Sequence, residues 1–446
     1  MSAIHDYVAN IERNDDIDFS LYDKYNVKRG LRNADGTGVL VGLTRVGDVK
    51  GYEMRDGVKV PIDGKLFYRG VDLEDIVFHA ASEHRYAFEE TAYLLMFGSL
   101  PNAEQLEGFC LILGENRPLP PNFAEDNIMK SPSRNVMNKL ARAVLTLYSS
   151  DKQPEDQSPE NVLRQCIEIV ARFPTMLAYS YMAKKHYFDG ESLILHFTDK
   201  KQQTAETILS LIRSDQRFTR EEAELLDLAL ILHAEHGGGN NSTFSVHLVT
   251  SADTDTYAAL SCGINSLKGS KHGGANYKVM RMMEDIKNNV RRWDNEGEVA
   301  AYLAKILRRE TFDRSGLIYG QGHAVYTKSD PRAILLRNKA ADLVNEKHLS
   351  DEFSLYRLVE RLVPEVFRKV KPDATKDLCT NVDFYSGFVY KMLGIPEELY
   401  TPLFAASRIT GWCAHRLEEI VAGRKIIRPA YKCVQDPVPY TPLNTR

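Results

Sequence analysis

None of the six cysteines (Cys110, Cys166, Cys262, Cys379, Cys413, Cys433) forms a CxxC pair with another. That spacing excludes a Cys-rich zinc framework and suits the reduced thiols of a cytoplasmic protein better than a disulfide scaffold. No apolar run approaches the roughly 20 residues that a membrane span needs. The opening stretch MSAIHDYVANIERNDDID is acidic and has no apolar h-region, so no signal peptide is expected. Positive charge is not in excess either: 57 Lys and Arg face 61 Asp and Glu, for a formal net charge of −4. Nucleic acid and membrane surfaces are therefore not expected partners, and any anionic small molecule would need local arginines to hold it. An HExxH motif, internal repeats and low-complexity tracts are also missing. What remains is a soluble globular chain of 446 residues, long enough for about two or three domains with a well-buried core.

The first 70 or so residues are rich in glycine and turns. GYEMRDGVKVPIDGKLFYRG places Asp56-Gly57 and Asp63-Gly64 between short apolar stretches, which predicts one or two small β-hairpins. Beyond Gly70 apolar residues recur at spacings of three and four, as in FEETAYLLMFG, AEQLEGFCLILG and NVMNKLARAVLTLYSS. The expected fold is mainly α-helical with a small N-terminal β-hairpin region. EEAELLDLALILHAEHGGG is apolar on nearly every side from Leu225 to Leu232, as a fully buried helix would be, and its stop is expected at Gly237, Gly238 and Gly239. In DTYAALSCGINSLKGS, the residues Ala259, Gly263, Ser266 and Ser270 make a face of small side chains that lets another backbone come close. From about 285 to 375 the helices are more charged and amphipathic, which suggests a smaller second domain inserted before NVDFYSG.

Four polar features interrupt the helices: HAEHGGGN with His233 and His236, KHGGAN with His272, GQGHAVYTKSDPR with His323 and Arg332, and NVDFYSG with Asp383. Arg408 follows in SRITGW and Arg428 in IIRP. Each has a structural reading by itself: a satisfied core histidine, a turn glycine, a solvated arginine, a helix cap. The combination argues for chemistry. The helix expected to restart after His272 disfavours an imidazolium there through its dipole, so a neutral ring can donate to a carbonyl oxygen and stabilise an enolate. Asp383 is the available base, and arginine forks suit a substrate with two carboxylates. The residues thus point to enolisation of a carbonyl compound and addition to a dicarboxylate partner.

In order and approximate spacing, LHAEHGGGNNSTF, LKGSKHGGAN, GQGHAVYTKSDPR, NVDFYSGFVYKMLGIP, LFAASRITGWCAH and IIRP resemble the citrate synthase family, from about residue 30 to 432. The resemblance implies condensation of acetyl-CoA with oxaloacetate, then hydrolysis of citryl-CoA to citrate and CoA. It makes Asp383 the base, His272 the partner of the thioester oxygen, and His323 the group that polarises and protonates the oxaloacetate carbonyl. His236, Arg332 and Arg408 match oxaloacetate ligands, and Phe404 matches an aromatic wall of the citrate pocket. Arg428 matches an arginine sent into the neighbouring subunit of a homodimer. Gly320, Gln321 and Gly322 would lie along CoA; Lys371 and Lys376 are candidates for its phosphates on charge alone. No metal or redox cofactor is implied. The family fold is two-domain, with a large domain expected at 1–272 and 378–446 and a small one at 273–377 that closes over the site. The text IIRPAYKCVQD departs from many relatives, which carry a second basic residue and a later Tyr-Val-Gly.

Two other readings compete. A metal-dependent hydrolase would use His233, His236, His272, His323 and Asp383 as ligand types, though they are spread over four segments. A non-catalytic helical scaffold would leave the polar set without a purpose. Citrate and 2-methylcitrate synthases share these motifs, so acetyl-CoA and propionyl-CoA are not separated by them; one methylene changes discrimination by only about 1–3 kcal/mol.

Overall fold

The computed structural model describes residues 2–33, 36–56, 58–374, 378–423 and 425–445. The chain divides into two compact units, Met1–Leu43 and Thr44–Arg446. The first holds helices at Ser2–Asn14 and Ser20–Lys24 and a short 3-10 turn at Arg29–Leu31.

The second unit opens with an antiparallel sheet in the order β1 (Gly47–Arg55), β2 (Val58–Tyr68), β3 (Val71–Asp72). The first expected hairpin is present, Arg55 of β1 pairing with Val58 of β2, while Gly57 itself lies outside the described residues. The turn considered at Asp63-Gly64 is not. Those residues run inside β2, where the register shifts between Lys50 and Tyr52 of β1. The cause is tertiary. A Cβ on Gly64 would stand 2.2 Å from the Ser329 carbonyl oxygen, and one on Gly51 would stand 2.4 Å from that of Val325. Glycine at both positions lets the irregular ladder press against the backbone of the loop that follows His323.

The rest of this unit is helical, as expected. Helices at Leu73–Ser82, Phe88–Phe97, Ala103–Asn116 and Val136–Leu147 precede α1 (Pro159–Lys184), and another at Thr204–Ile212 precedes α2 (Arg220–His233). Then come α3 (Asn241–Thr250), α4 (Thr256–Lys268) and α5 (Ala275–Asn289). A helix at Glu296–Leu307 leads to α6 (Pro331–Leu343), α7 (Ser350–Val370), α8 (Val382–Met392) and α9 (Tyr400–Ala422). No helix among the described residues is long and apolar enough to cross a membrane, and all six cysteines are free thiols.

Helix α2 is buried from Leu225 to His233, as its apolar circumference requires. It ends at His233, before the glycines expected to stop it; Gly237, at φ 83°, instead supplies the left-handed turn three residues past its cap at Ala234. The small face of α4 works as expected. Gly263 packs where a Cβ would meet Val246 at 2.9 Å and the Trp412 ring at 3.1 Å. Ser266 donates to Asn241 Oδ1 at 2.6 Å. Ser270 lies past the end of the helix. Helix α9 is buried from Tyr400 to Leu417 except at its second residue, and three charged side chains, Arg408, His415 and Arg416, lie on it at 0% exposure. Such burial requires compensating partners.

Candidate active site

Helix α2 delivers the first pair of histidines. His233 donates from Nδ1 to the Ala229 carbonyl at 2.7 Å and sets its ring edge-on to Phe404, centroids 4.5 Å apart. Burial, reinforced by Arg332 and Arg408, pulls its pKa down to about 3, so the ring is neutral. His236 lies on the turn beyond, its ring 5.1 Å from His323 and 5.7 Å from Tyr326. Burial first, then the charges of Arg332, His323 and Arg408, hold it well below the ordinary histidine range.

His323 leaves the loop after Gly320 and Gly322, which have φ of 77° and 91°. Its ring stacks on Tyr326 at 4.5 Å. Its Nδ1 accepts from the backbone N–H groups of Val325 at 3.0 Å and Tyr326 at 3.1 Å. A nitrogen that accepts carries no proton, so the neutral ring keeps its hydrogen on Nε2. The glycine pair serves the loop's own packing: a Cβ on Gly320 would lie 2.8 Å from that of Phe384. Asn381 N–H donates to the Gly320 carbonyl at 3.0 Å, and Asn381 Nδ2 to that of Gly322 at 2.9 Å. The histidine loop is thereby fastened to the start of α8.

Asp383 stands in the first turn of α8, behind the Asn381 cap, to which its N–H donates at 3.1 Å. Withdrawal from water raises its carboxyl to about 6, with Arg332 opposing the rise, Asp330 adding to it and Arg408 opposing it again. Arg332 is buried and paired with Asp330; burial opposes its charge but the Asp330 carboxylate outweighs that and raises it. Arg408, one turn beyond Phe404 on α9, donates from Nε to the His233 carbonyl at 2.6 Å and lies 4.8 Å from the Phe404 ring centroid. Burial lowers its pKa to about 10, so it stays charged at neutral pH. Its Nη1 and Nη2, together with His236 Nε2 and the Tyr326 hydroxyl, are buried without a hydrogen-bond partner among the described residues. Buried polar groups are normally paired, and this concentration of donors suits an anionic ligand with a carbonyl.

His272 occupies the bend between α4 and α5, as expected, two residues before the Gly274 cap. Burial, then the charge of Arg408, lowers it to about 4. Its Nε2 lies 3.0 Å from Ser242 Oγ. That hydroxyl oxygen also accepts from Trp412 Nε1–H at 3.2 Å, and its one hydrogen goes to Asn240 Oδ1 at 2.8 Å. With that hydrogen on Asn240 Oδ1, His272 Nε2 donates to Ser242 Oγ; turned to His272 Nε2 instead, it would leave the neutral imidazole's own hydrogen on Nδ1.

Electrostatic influence ties His233, His236, His272, Asp383 and Arg332 to Arg408, and His323 joins through His236. Other expected positions lie differently. Arg428 is exposed in the segment after α9 that carries no helix or strand. Gln321 bridges to Thr380, whose hydroxyl donates to Gln321 Oε1 at 3.1 Å. Lys371 caps α7 and donates to the Gly316 carbonyl at 3.3 Å. Lys376 lies outside the described residues. Sequence reasoning missed Asp330, Ser242 and Tyr326. A signal existed for Asp330, since SDPR reads as a cap before a proline at the first helical position.

A carboxyl poised near neutrality, neutral imidazoles and two buried guanidiniums on a helical frame are the groups that acid–base chemistry on an anionic carbonyl compound requires. A model of the citrate synthase C-terminal domain matches residues 34–430. The citrate synthase of Haloferax volcanii is 31% identical over 94% of this chain and 99% of its own. A 2-methylcitrate synthase of Corynebacterium glutamicum is 30% identical over 84% of this chain and 91% of its own. The crystal structure of citrate synthase from Thermotoga maritima superposes with a TM-score of 0.72 at 29% identity, covering 94% of this chain and 99% of that one. The chain belongs to the citrate synthase family, whose members are mainly helical acyltransferases.

Proposed function

We propose that the protein is a citrate synthase that condenses acetyl-CoA with oxaloacetate and hydrolyses the citryl-CoA formed. Asp383 takes a proton from the acetyl methyl group while His272 Nδ1–H donates to the thioester oxygen, so that charge developing on that oxygen is met by a preorganised donor. The methyl carbon then bonds to the oxaloacetate carbonyl carbon. That carbonyl's oxygen takes the proton from His323 Nε2. Water adds to the thioester carbonyl, returning a proton to His323 Nε2, and the C–S bond breaks as the sulfur takes the proton held by Asp383, giving citrate and the CoA thiol. Arg332, Arg408 and His236 hold the oxaloacetate carboxylates, and Phe404 walls the pocket.

The observation that carries this reading is Asp383, raised to about 6 among Arg332, Asp330 and Arg408: a carboxylate base whose strength is matched to neutral pH. The same reading makes 1–272 with 378–446 the large domain and 273–377 a small domain that closes and excludes water from the enolate. It makes the protein a cytoplasmic homodimer in which Arg428 enters the site of the other copy. CoA lies along Gly320, Gln321 and Gly322, with Lys371 and Lys376 near its phosphates. No step uses a metal or a redox cofactor. The relative named 2-methylcitrate synthase favours propionyl-CoA as the second reading. Release of free thiol from each acyl-CoA, with and without oxaloacetate, decides among these. Oxaloacetate-dependent release, faster from acetyl-CoA, is expected; faster release from propionyl-CoA moves the assignment to 2-methylcitrate, and none from either overturns it.

A further inference from the structure

Behind the site runs a second set of titratable groups that the reaction does not use. Glu235, the neighbour of His236, is fully buried, and its Oε1 accepts from Gly237 N and from His415 Nε2, the latter at 3.0 Å. His415 Nδ1 lies 3.0 Å from His247 Nε2, and His247 Nδ1 lies 2.8 Å from Glu419 Oε2. Glu418 Oε2 stands 3.7 Å from His415 Nδ1, and its Oε1 accepts from Arg45 N at 2.6 Å.

The protons in this chain can be counted. Carboxylates only accept, so His415 Nε2 and His247 Nδ1 must both be N–H donors. The inner pair of nitrogens shares one more hydrogen. Three protons on two imidazoles make one imidazolium. It belongs on His415, which faces Glu235 and Glu418; their charges overcome burial and raise its pKa to about 9, whereas burial and His415 lower His247. His247, His415 and Glu418 also have the donor types and mutual proximity of a cation site, within 4.8 Å of one another. However, ligands about 2.0–2.1 Å from a tetrahedral ion stand roughly 3.3 Å apart, and the 3.0 Å between the two rings fits one shared proton.

The chain joins three segments, each carrying a part of the site: the turn with His236, helix α3 with Ser242 at His272, and helix α9 with Phe404 and Arg408. We infer that Glu235, His415, His247 and Glu419 form a charged clamp, buried at Glu235 and His415, that holds these segments in register, and that His415 is a positioning residue for the reaction. The inference rests on the proposed function for its kinetic consequence and on the geometry alone for the imidazolium.

The test has two arms on the full-length protein. In the first, ¹⁵N-histidine NMR of the unsubstituted protein at pH 7.5 should show both ring N–H groups of His415, assigned by their loss in His415→Asn, and both should shift when oxaloacetate is added. A neutral His415, no shift, or stoichiometric metal in elemental analysis overturns the clamp. In the second, His415→Asn places an amide near Nδ1 and keeps the His247 side while breaking the Glu235 side; His415→Gln does the reverse. His415→Asn should raise the oxaloacetate KM about tenfold with kcat little changed, and His415→Gln should lower kcat about tenfold with KM kept. Constants within twofold of the unsubstituted protein in both variants, or the same loss in both, overturn it. If neither variant folds, the NMR arm decides by counting doubly protonated rings among the twelve histidines of the unsubstituted protein: a buried one that shifts with oxaloacetate is expected, and none overturns the clamp. If the unsubstituted protein shows no oxaloacetate-dependent turnover, the functional reading fails while the imidazolium is still decided.

Discussion

Arg332 is held by Asp330, two residues before it: Nε donates to Oδ1 at 3.0 Å and Nη2 to Oδ2 at 2.7 Å. The side chains are 5% and 0% exposed. The same carboxylate accepts from Arg332 N at 3.0 Å and from Val382 N at 3.2 Å, so it caps α6 and reaches the start of α8 beside Asp383. Asp330→Ala would leave a guanidinium buried without its counter-charge, a change that typically costs about 3–5 kcal/mol. Urea denaturation should show a loss of that order, with weaker oxaloacetate binding in calorimetry at temperatures where the variant is folded. A loss below about 1 kcal/mol would mean that Arg332 has another anchor.

The raised carboxyl of Asp383 has two consequences of opposite sign. As a base it must be ionised, so kcat/KM, which reports the free enzyme, should fall about tenfold per pH unit below 6 and level off above it. For stability, the folded state keeps this proton between 3.8 and about 6 while the unfolded chain has lost it. Stability therefore declines as pH rises through that window, and the full penalty, roughly 3 kcal/mol for about two units, is present above it. Asp383→Asn removes the penalty. The variant should be nearly inactive yet more stable than the unsubstituted protein at pH 8, with the advantage vanishing towards pH 4. Equal stability at pH 8 would show that the carboxylate is better solvated than its surroundings imply.

The parts of the site legible in the sequence are those where an uncommon residue stands in an uncommon local setting. His236 and His272 are followed by glycines, and His323 is preceded by one; Asp383 opens a helix after an asparagine cap. What was not legible depends on partners distant in the chain. Ser242 gains its role from His272, 30 residues away, and His415 from Glu235, 180 residues away; neither carries a local pattern. The fold divides in the same way. Apolar periodicity gives the helices and Asp56-Gly57 the hairpin, but Asp63-Gly64 has the residues of a turn and lies in a strand. Its glycine is required by the loop at Ser329, whose hydroxyl accepts from Gly64 N across 265 positions. A local signal was overruled by a distant contact.

The contact between Ser242 and His272 makes a prediction that separates orientation from chemistry. Ser242→Ala removes the hydroxyl beside His272 Nε2, which in the proposed reaction turns its hydrogen from Asn240 Oδ1 to that nitrogen, and leaves a buried Trp412 N–H unpaired as well. His272→Ala removes the donor itself and should lower kcat by about 10²–10³-fold without unfolding the chain. Ser242→Ala should lower it by a smaller factor, and combining the two should add little to His272→Ala, because residues that act as one unit are not additive. A double variant whose losses multiply would place the serine on a separate function.

Arg428 provides a test of whether the site is shared between copies. It is exposed on the segment after α9, where Ile427 N donates to Ser251 Oγ at 3.0 Å, whereas Arg408 is fully buried. Arg428→Ala and Arg408→Ala should each abolish most activity when the variant is pure. If Arg428 serves the neighbouring copy, a dimer of one Arg428→Ala chain and one Arg408→Ala chain has one site with both arginines and one with neither. Random exchange of equal amounts makes about half of the dimers mixed, so about a quarter of the unsubstituted activity should return. The recovery should follow the rate of subunit exchange, measured with differently tagged chains. Complete exchange with no recovery would confine the site to a single chain.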